Sequence, residues 1–383
     1  MDQLRSFIPH VDESVLADLQ SRLERARWPV EPQAGPWRYG TSQDYLQRLI
    51  ARWRGGYDWR KTERRLGAFE NYKANVGGLE VHFLLERGSG PHPRPLVLTH
   101  GWPGSIVEFL HVIEPLAHPE RFGGQVEDAF TVVVPSIPGY GFSQAPAAPL
   151  TPRAIAQMWR DLMVDVLGFQ TYFAQGGDWG SIISTWMAHD HPQHVKALHL
   201  NFMGVLAQPD AGDATPEEAD WMVRNVAWRQ PEDGYRTQQA TRPHTLAYAL
   251  TDSPLGLAAW IVEKFQAWSP ATDNGDPPFE MDVLLDNLML YWIPGPGAAS
   301  WLYASSFEHD MRRFKPHERV TVPTGVLLCP RDTLLQPPDS LIRRSYNLVR
   351  RTDAPTGGHF AALEQPGLFV REVREFFRPY AIE

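Results

Sequence analysis

The sequence predicts an α/β fold: a mostly parallel central sheet flanked by helices, with a helical cap and an N-terminal helical meander. Three observations carry this. Short apolar runs, Pro95 to Thr99, Phe130 to Val134 and Thr171 to Ala174, each run into a glycine- or proline-rich turn, the pattern of strands buried on both faces. The third of these turns opens directly into a helix-like run, Ile182 to Ala188. After a long insertion, Gly325 to Cys329 reads as a further buried strand, and Leu368 to Phe377 as a closing helix.

The elements follow in order along 383 residues, enough for one large α/β domain with insertions. Residues 1–73 form the N-terminal meander packed on the core, and its tryptophans (Trp28, Trp37, Trp53, Trp59) are expected to pack it there. Residues 74–204 form the first half of the core, 205–320 the helical cap and 321–383 the second half. Repeats and low-complexity runs are absent, and Pro91–Pro95 and Pro294–Gly297 are short turns rather than linkers. The net charge of -9 argues against a nucleic-acid partner. A single cysteine, Cys329, excludes an internal disulfide and a cysteine-rich zinc site, and its apolar strand predicts burial. His189-Asp190-His191 reads as the polar end of a helix rather than a metal site. The opening residues Met1 to Arg5 lack a basic-plus-apolar signal, and no stretch has membrane length, so a cytoplasmic protein without a membrane anchor is expected.

Chemistry is concentrated in Gly176-Gly177-Asp178-Trp179-Gly180. Strand, sharp turn and helix, with small residues flanking one central side chain, is the layout of the nucleophile elbow of α/β-hydrolases. Asp stands where Ser is usual. A serine needs a base to take its proton before it attacks acyl carbon. A carboxylate is already an anion near neutral pH and suits displacement at a saturated carbon with a leaving group, such as an epoxide or an alkyl halide. The product is an ester of Asp178 itself, which activated water must then hydrolyse. The oxyanion hole would serve that second step. Its expected donors are the backbone N–H of Trp102, in the loop His100 to Ser105 after the Pro95–Thr99 strand, and the N–H of Trp179. Pro103 has no N–H to offer, and His100 is expected to shape the loop it opens. The stretch Pro135 to Ser143 is expected to wall the site.

A base should come late in the chain, and Gly357-Gly358-His359-Phe360 fits. A carboxylate should orient it. Asp332, at the end of the Gly325–Cys329 strand, is chosen over Asp339, Asp353 and Glu364, which lie in surface-like helical or turn contexts. Ring opening of an epoxide calls for an acid, and Tyr suits a closed apolar pocket. The cap offers Tyr235, Tyr248, Tyr291 and Tyr303, and chemistry alone does not choose among them.

These motifs together, with the cap runs Gly234-Tyr235, Thr241-Arg242-Pro243 and Asp252 to Phe265, resemble the microsomal-type epoxide hydrolases. The N-terminal runs Arg22 to Pro29 and Tyr57 to Arg60 are similar to the region that wraps the core in that family, so the resemblance covers nearly the whole chain. It implies Asp178 as nucleophile, His359 as general base and Asp332 as its orienting acid. Tyr235 and Tyr303 match the two ring-opening tyrosines. It further implies a small hydrophobic epoxide as substrate, a vicinal diol as product, no cofactor, no metal, and a homodimer as candidate assembly. Bulky secondary metabolites, terpene epoxides and styrene-oxide-like molecules are all admitted. The rivals are a haloalkane dehalogenase, in which Trp179 and Trp102 would hold halide, and a silent hydrolase-fold protein that binds a hydrophobic ligand.

Overall fold

A computed structural model describes residues 4–209, 212–315 and 317–380. Among these residues nine strands are found: β1 (Leu4–Ser6), β2 (Glu70–Val76), β3 (Leu79–Glu86), β4 (Arg94–Thr99), β5 (Phe130–Pro135), β6 (Tyr172–Gly176), β7 (Val195–Leu200), β8 (Val320–Leu328) and β9 (Tyr346–Asp353). They form one sheet in the order β1-β2-β3-β5-β4-β6-β7-β8-β9. The pairs from β5 through β4, β6, β7 and β8 to β9 are parallel, and β1, β2 and β3 extend the sheet antiparallel. The α/β-hydrolase architecture expected from the sequence is therefore present.

Parallel pairing decides where the site lies. It places the carboxyl ends of β4, β6, β8 and β9 on one edge of the sheet, so the loops beginning at His100, Gly177, Cys329 and Ala354 converge there. The central strands hold that position by composition. Every residue of β5 and β6 is buried under flanking helices, which their mostly apolar runs favour, and the buried Gln175 amide donates to Asn201 Oδ1 at 2.7 Å. The helix Asp178–Asp190 is buried along ten consecutive residues, Trp179 to Ala188, and carries few polar groups to oppose that.

Among the described residues six α-helices lie between β7 and β8: Pro216–Arg229, Asp233–Thr241, Pro243–Asp252, Pro254–Ala267, Met281–Trp292 and Trp301–Glu308. Their starts follow local rules. Thr215 and Glu218 form a reciprocal capping box with Pro216 at the first helical position. Ser253 caps Pro254–Ala267 by accepting from Gly256 N, again ahead of a proline.

The N-terminal segment differs from expectation in two respects. Among its described residues are the three helices Glu13–Glu24, Gln43–Gly55 and Trp59–Leu66, but also the strand β1, and Lys73 falls in the middle of β2. Three residues carry no readable periodicity, and their pairing partner is remote in sequence. The tryptophans also divide: Trp53 and Trp59 are buried, Trp37 packs on Tyr45, and Trp28 is 37% exposed.

This segment grips the cap as well as the core. Arg52 makes two 2.7 Å bonds to Asp282, and Arg22 reaches Asp252 at 2.7 Å. Asp286, 1% exposed on the cap helix Met281–Trp292, accepts from Tyr57 Oη at 2.8 Å, Arg65 at 2.7 Å and the Thr62 hydroxyl. Burial raises the Asp286 carboxyl, and its three donors oppose that. Asp286→Ala strands these donors and is expected to cost about 3 kcal/mol by the measured range for a broken buried pair. Thermal or denaturant unfolding checks this; a loss under about 1 kcal/mol contradicts the assigned role.

Candidate active site

The turn after β6 is tight because the chain must enter the helix without a loop. Asp178 is the first helical residue and adopts φ 47°, a region that costs a non-glycine residue about 1–3 kcal/mol. Its neighbours have no room to be larger. A Cβ on Gly180 would lie 1.8 Å from Thr99 O, and one on Gly101 2.2 Å from Asp178 Oδ1. The elbow and the loop after β4 are thus pressed together until backbone meets side chain. The loop includes a cis Trp102–Pro103 peptide.

The contact brings a backbone donor to the carboxylate. Trp102 N donates to Asp178 Oδ1 at 2.8 Å. Trp179 N–H belongs to the first turn of the same helix, where N–H groups have no intrahelical acceptor and the dipole favours negative charge. Asp178 Oδ2 faces the other way and lies 3.3 Å from His359 Nε2. The two carboxylate oxygens therefore have separate surroundings, one held by backbone N–H and one beside the imidazole. His100 shapes its loop as expected: Nε2 accepts from Ile137 N at 3.2 Å, Nδ1 sits 3.1 Å from Gly101 O, and burial pushes its pKa down to about 4.

His359 Nδ1 lies 2.7 Å from Asp332 Oδ1, and the same oxygen accepts from Thr333 N at 2.6 Å. A carboxylate at Nδ1 assigns the proton there and leaves Nε2 toward Asp178. Asp339 and Asp353 are exposed and bind Arg351. Glu364 departs from the expected surface context. It is largely buried and accepts from Gly358 N at 2.7 Å, Phe360 N at 2.9 Å and Ser269 Oγ at 3.2 Å. It brackets His359 by clamping the backbone on both sides. The signal available in sequence is its place on the short helix just after Gly-Gly-His-Phe. From the cap, Trp268 O accepts from His359 N at 2.8 Å, so the cap also fixes the imidazole loop.

The cap tyrosines separate by environment. Tyr248 is 71% exposed, and Tyr291 donates to Gly104 O at 2.7 Å. Tyr235 and Tyr303 stand together, ring centroids 5.8 Å apart and nearly perpendicular. Tyr235 stacks on Trp102 at 5.1 Å, and Tyr303 meets Trp179 edge-on at 4.7 Å. Both line the space around Asp178, which holds only about 30 Å³. Burial first, then the Asp178 charge among its neighbours, raises both phenols, so both keep their protons.

Burial disfavours a charged His359, but Asp332 and Asp178 together outweigh it and hold the imidazole well above its ordinary value. Two further carboxyls sit behind the site: burial raises Glu364 to about 7 and Glu108 to about 8.

Fold and site together define an α/β-hydrolase whose elbow presents a carboxylate. Comparison with known proteins agrees with this fold. The epoxide hydrolase N terminus family matches residues 4–109, and the alpha/beta hydrolase fold family residues 94–253. A putative epoxide hydrolase of Stigmatella aurantiaca is 41% identical, covering 96% of this chain and 83% of the relative. Epoxide hydrolase 1 of Oryctolagus cuniculus is 34% identical, covering 98% and 89%. The crystal structure of juvenile hormone epoxide hydrolase from the silkworm Bombyx mori superposes with a TM-score of 0.87 at 30% identity, covering 98% of this chain and 94% of that one. The chain belongs to the epoxide hydrolase family. Among the described residues no helix is long and apolar enough to cross a membrane.

Removing the Asp178 charge should release His359. An imidazole held above its ordinary value adds stability that is complete below about pH 6.5 and is lost as pH rises toward the folded value. In Asp178→Asn, His359 is expected to titrate at lower pH than in the native protein, as followed by NMR of labelled imidazole. An unchanged midpoint contradicts the coupling.

Proposed function

We propose that Asp178 Oδ2 attacks one carbon of the epoxide while Tyr235 and Tyr303 hydrogen-bond the ring oxygen. The C–O bond of the ring breaks, a tyrosine proton passes to the departing oxygen, and an alkyl ester of Asp178 remains. Esterification neutralises Asp178, and with that charge gone the force that kept His359 protonated weakens. The imidazole gives its proton through solvent to the tyrosinate and becomes a base. His359 Nε2 then takes a proton from water, whose oxygen adds to the ester carbon of Asp178. Negative charge builds on Oδ1, the oxygen that Trp102 N already holds, with Trp179 N–H beside it. Collapse expels the diol oxygen, which takes the remaining water proton. The resting pair, Asp178 carboxylate and His359 imidazolium, is restored, with Asp332 opposite the imidazolium. The net reaction is epoxide plus water to vicinal diol, and no cofactor enters it.

The observation that supports this reading most is the split environment of the Asp178 carboxylate: Oδ1 at 2.8 Å from Trp102 N, Oδ2 at 3.3 Å from His359 Nε2. The pair Tyr235 and Tyr303 across the chamber favours an epoxide oxygen over a halide, because two weakly acidic phenols suit a strongly basic leaving oxygen. The same reading takes a small hydrophobic epoxide as substrate and a homodimeric, cytoplasmic enzyme, which light scattering and cell fractionation check.

His359→Gln should form the ester and fail to cleave it. Intact-mass analysis is expected to show one added epoxide per chain, with steady turnover reduced roughly 10³-fold. Tyr235→Phe and Tyr303→Phe should each slow ester formation, roughly 10–10²-fold. Normal turnover in His359→Gln, with no adduct, contradicts the proposal.

A further inference from the structure

Beside the small chamber around Asp178 lies a larger cavity of about 420 Å³. The two share Trp179, Arg229, Tyr303, Arg312 and Leu334 as walls, so they adjoin along these side chains, and Arg229 and Arg312 face both. The larger part combines apolar side chains, Met203 and Leu206 among them, with four guanidiniums: Arg229, Arg236, Arg312 and Arg313.

These cations exceed the local carboxylates. Arg236 takes both oxygens of Asp233 at 2.9 Å. Arg229 reaches the same Asp233 at only 3.5 Å, and Arg313 meets Asp310 at 3.9 Å. Glu232, on the chamber wall, is already engaged by Lys264 at 2.9 Å and Trp268 Nε1 at 3.3 Å. The Arg312 guanidinium has no carboxylate within ion-pair distance among the described residues; its Nε donates to Gly204 O at 3.3 Å, and Asp178 and Asp233 act on it only through space. Burial and the neighbouring Arg229 push the Arg312 guanidinium down to about 10. A partly buried guanidinium with free donors and no counter-ion is incomplete in energetic terms, and a planar anion completes it.

We propose that the enzyme acts on epoxides that also carry a carboxylate, bound by Arg312 with Arg229 in the larger cavity while the ring sits at Asp178. This rests on the epoxide-opening reading above and narrows its substrate from a hydrophobic epoxide to one whose hydrocarbon part ends in an anion. The apolar walls accommodate a hydrocarbon link between ring and anion, and the arginines fix its far end. Binding energy gained there holds the ring in place for attack.

The test compares a series of terminal epoxy-alkanoates of increasing chain length with their primary amides, alongside neutral styrene oxide. At one chain length or more, the acid is expected to exceed the amide at least about tenfold in kcat/KM, mainly through KM, the size of a partly buried charge-assisted hydrogen bond. Arg312→Met should erase that ratio, and Arg229→Gln should reduce it. Equal acid and amide at every length overturns the inference, as does Arg312→Met slowing both to the same degree, which would mean that Arg312 acts on the tyrosines. Turnover of styrene oxide monitors the chemistry separately. If no epoxide of any kind reacts, the catalytic reading fails, and the inference is judged by calorimetry of simple alkanoates against alkanamides. Alkanoate binding that Arg312→Met abolishes supports it, and equal heats overturn it.

Discussion

The site depends on how closely two loops of the sheet edge approach one another. β4 and β6 are hydrogen-bonded neighbours, and Thr99 pairs with Gly176 at their carboxyl ends. Beyond that point both chains turn, and Gly101 and Gly180 allow them to touch where any side chain would collide. Trp102 N consequently reaches Asp178 Oδ1, and Asp178 is held at φ 47° with its other oxygen directed at His359. Helix dipole, backbone N–H and imidazole all act on one carboxylate because this approach places it among them.

Charge links the parts. In the resting protein Asp178 and Asp332 flank one buried imidazole, and their combined field outweighs its burial. Conversion of Asp178 to a neutral ester would alter that balance without any movement of the chain. The same residue would serve as nucleophile and as the switch that turns its neighbour into a base. The cap is held to this machinery from both sides. Trp268 O binds His359 N, and Asp286 ties the cap to Tyr57, Thr62 and Arg65 of the N-terminal segment. With only about 30 Å³ around Asp178, substrate entry requires side chains or cap to yield, and the adjoining cavity offers the space from which to approach.

Most of the core is legible in the sequence because its signals are local. Apolar runs before the turns at His100-Gly101 and Gly176-Gly177, and the late Gly-Gly-His, encode their conformation within a few residues. The choice of Tyr235 and Tyr303 over Tyr248 and Tyr291 is not encoded locally. It comes from resemblance, and in space it follows from which face of each cap helix turns toward Asp178. β1 escapes a reading of the sequence because a three-residue strand exists only through its partner β2. Glu364 reads as surface because a carboxylate on a short helix usually is; here two backbone N–H groups beside His359 and the Ser269 hydroxyl justify its burial. Arg312 carries no signal at all, since an arginine without a counter-ion can be recognised only once its surroundings are assembled.

The central claim is that the diol oxygen comes first from Asp178 and not from water. One turnover, run with enzyme in excess over epoxide in ¹⁸O-labelled water, tests it directly. The account predicts an unlabelled diol, with ¹⁸O recovered in the peptide that contains Asp178. Label in the diol after that single turnover, with Asp178 unlabelled, would mean that water attacks the ring itself and would contradict the account.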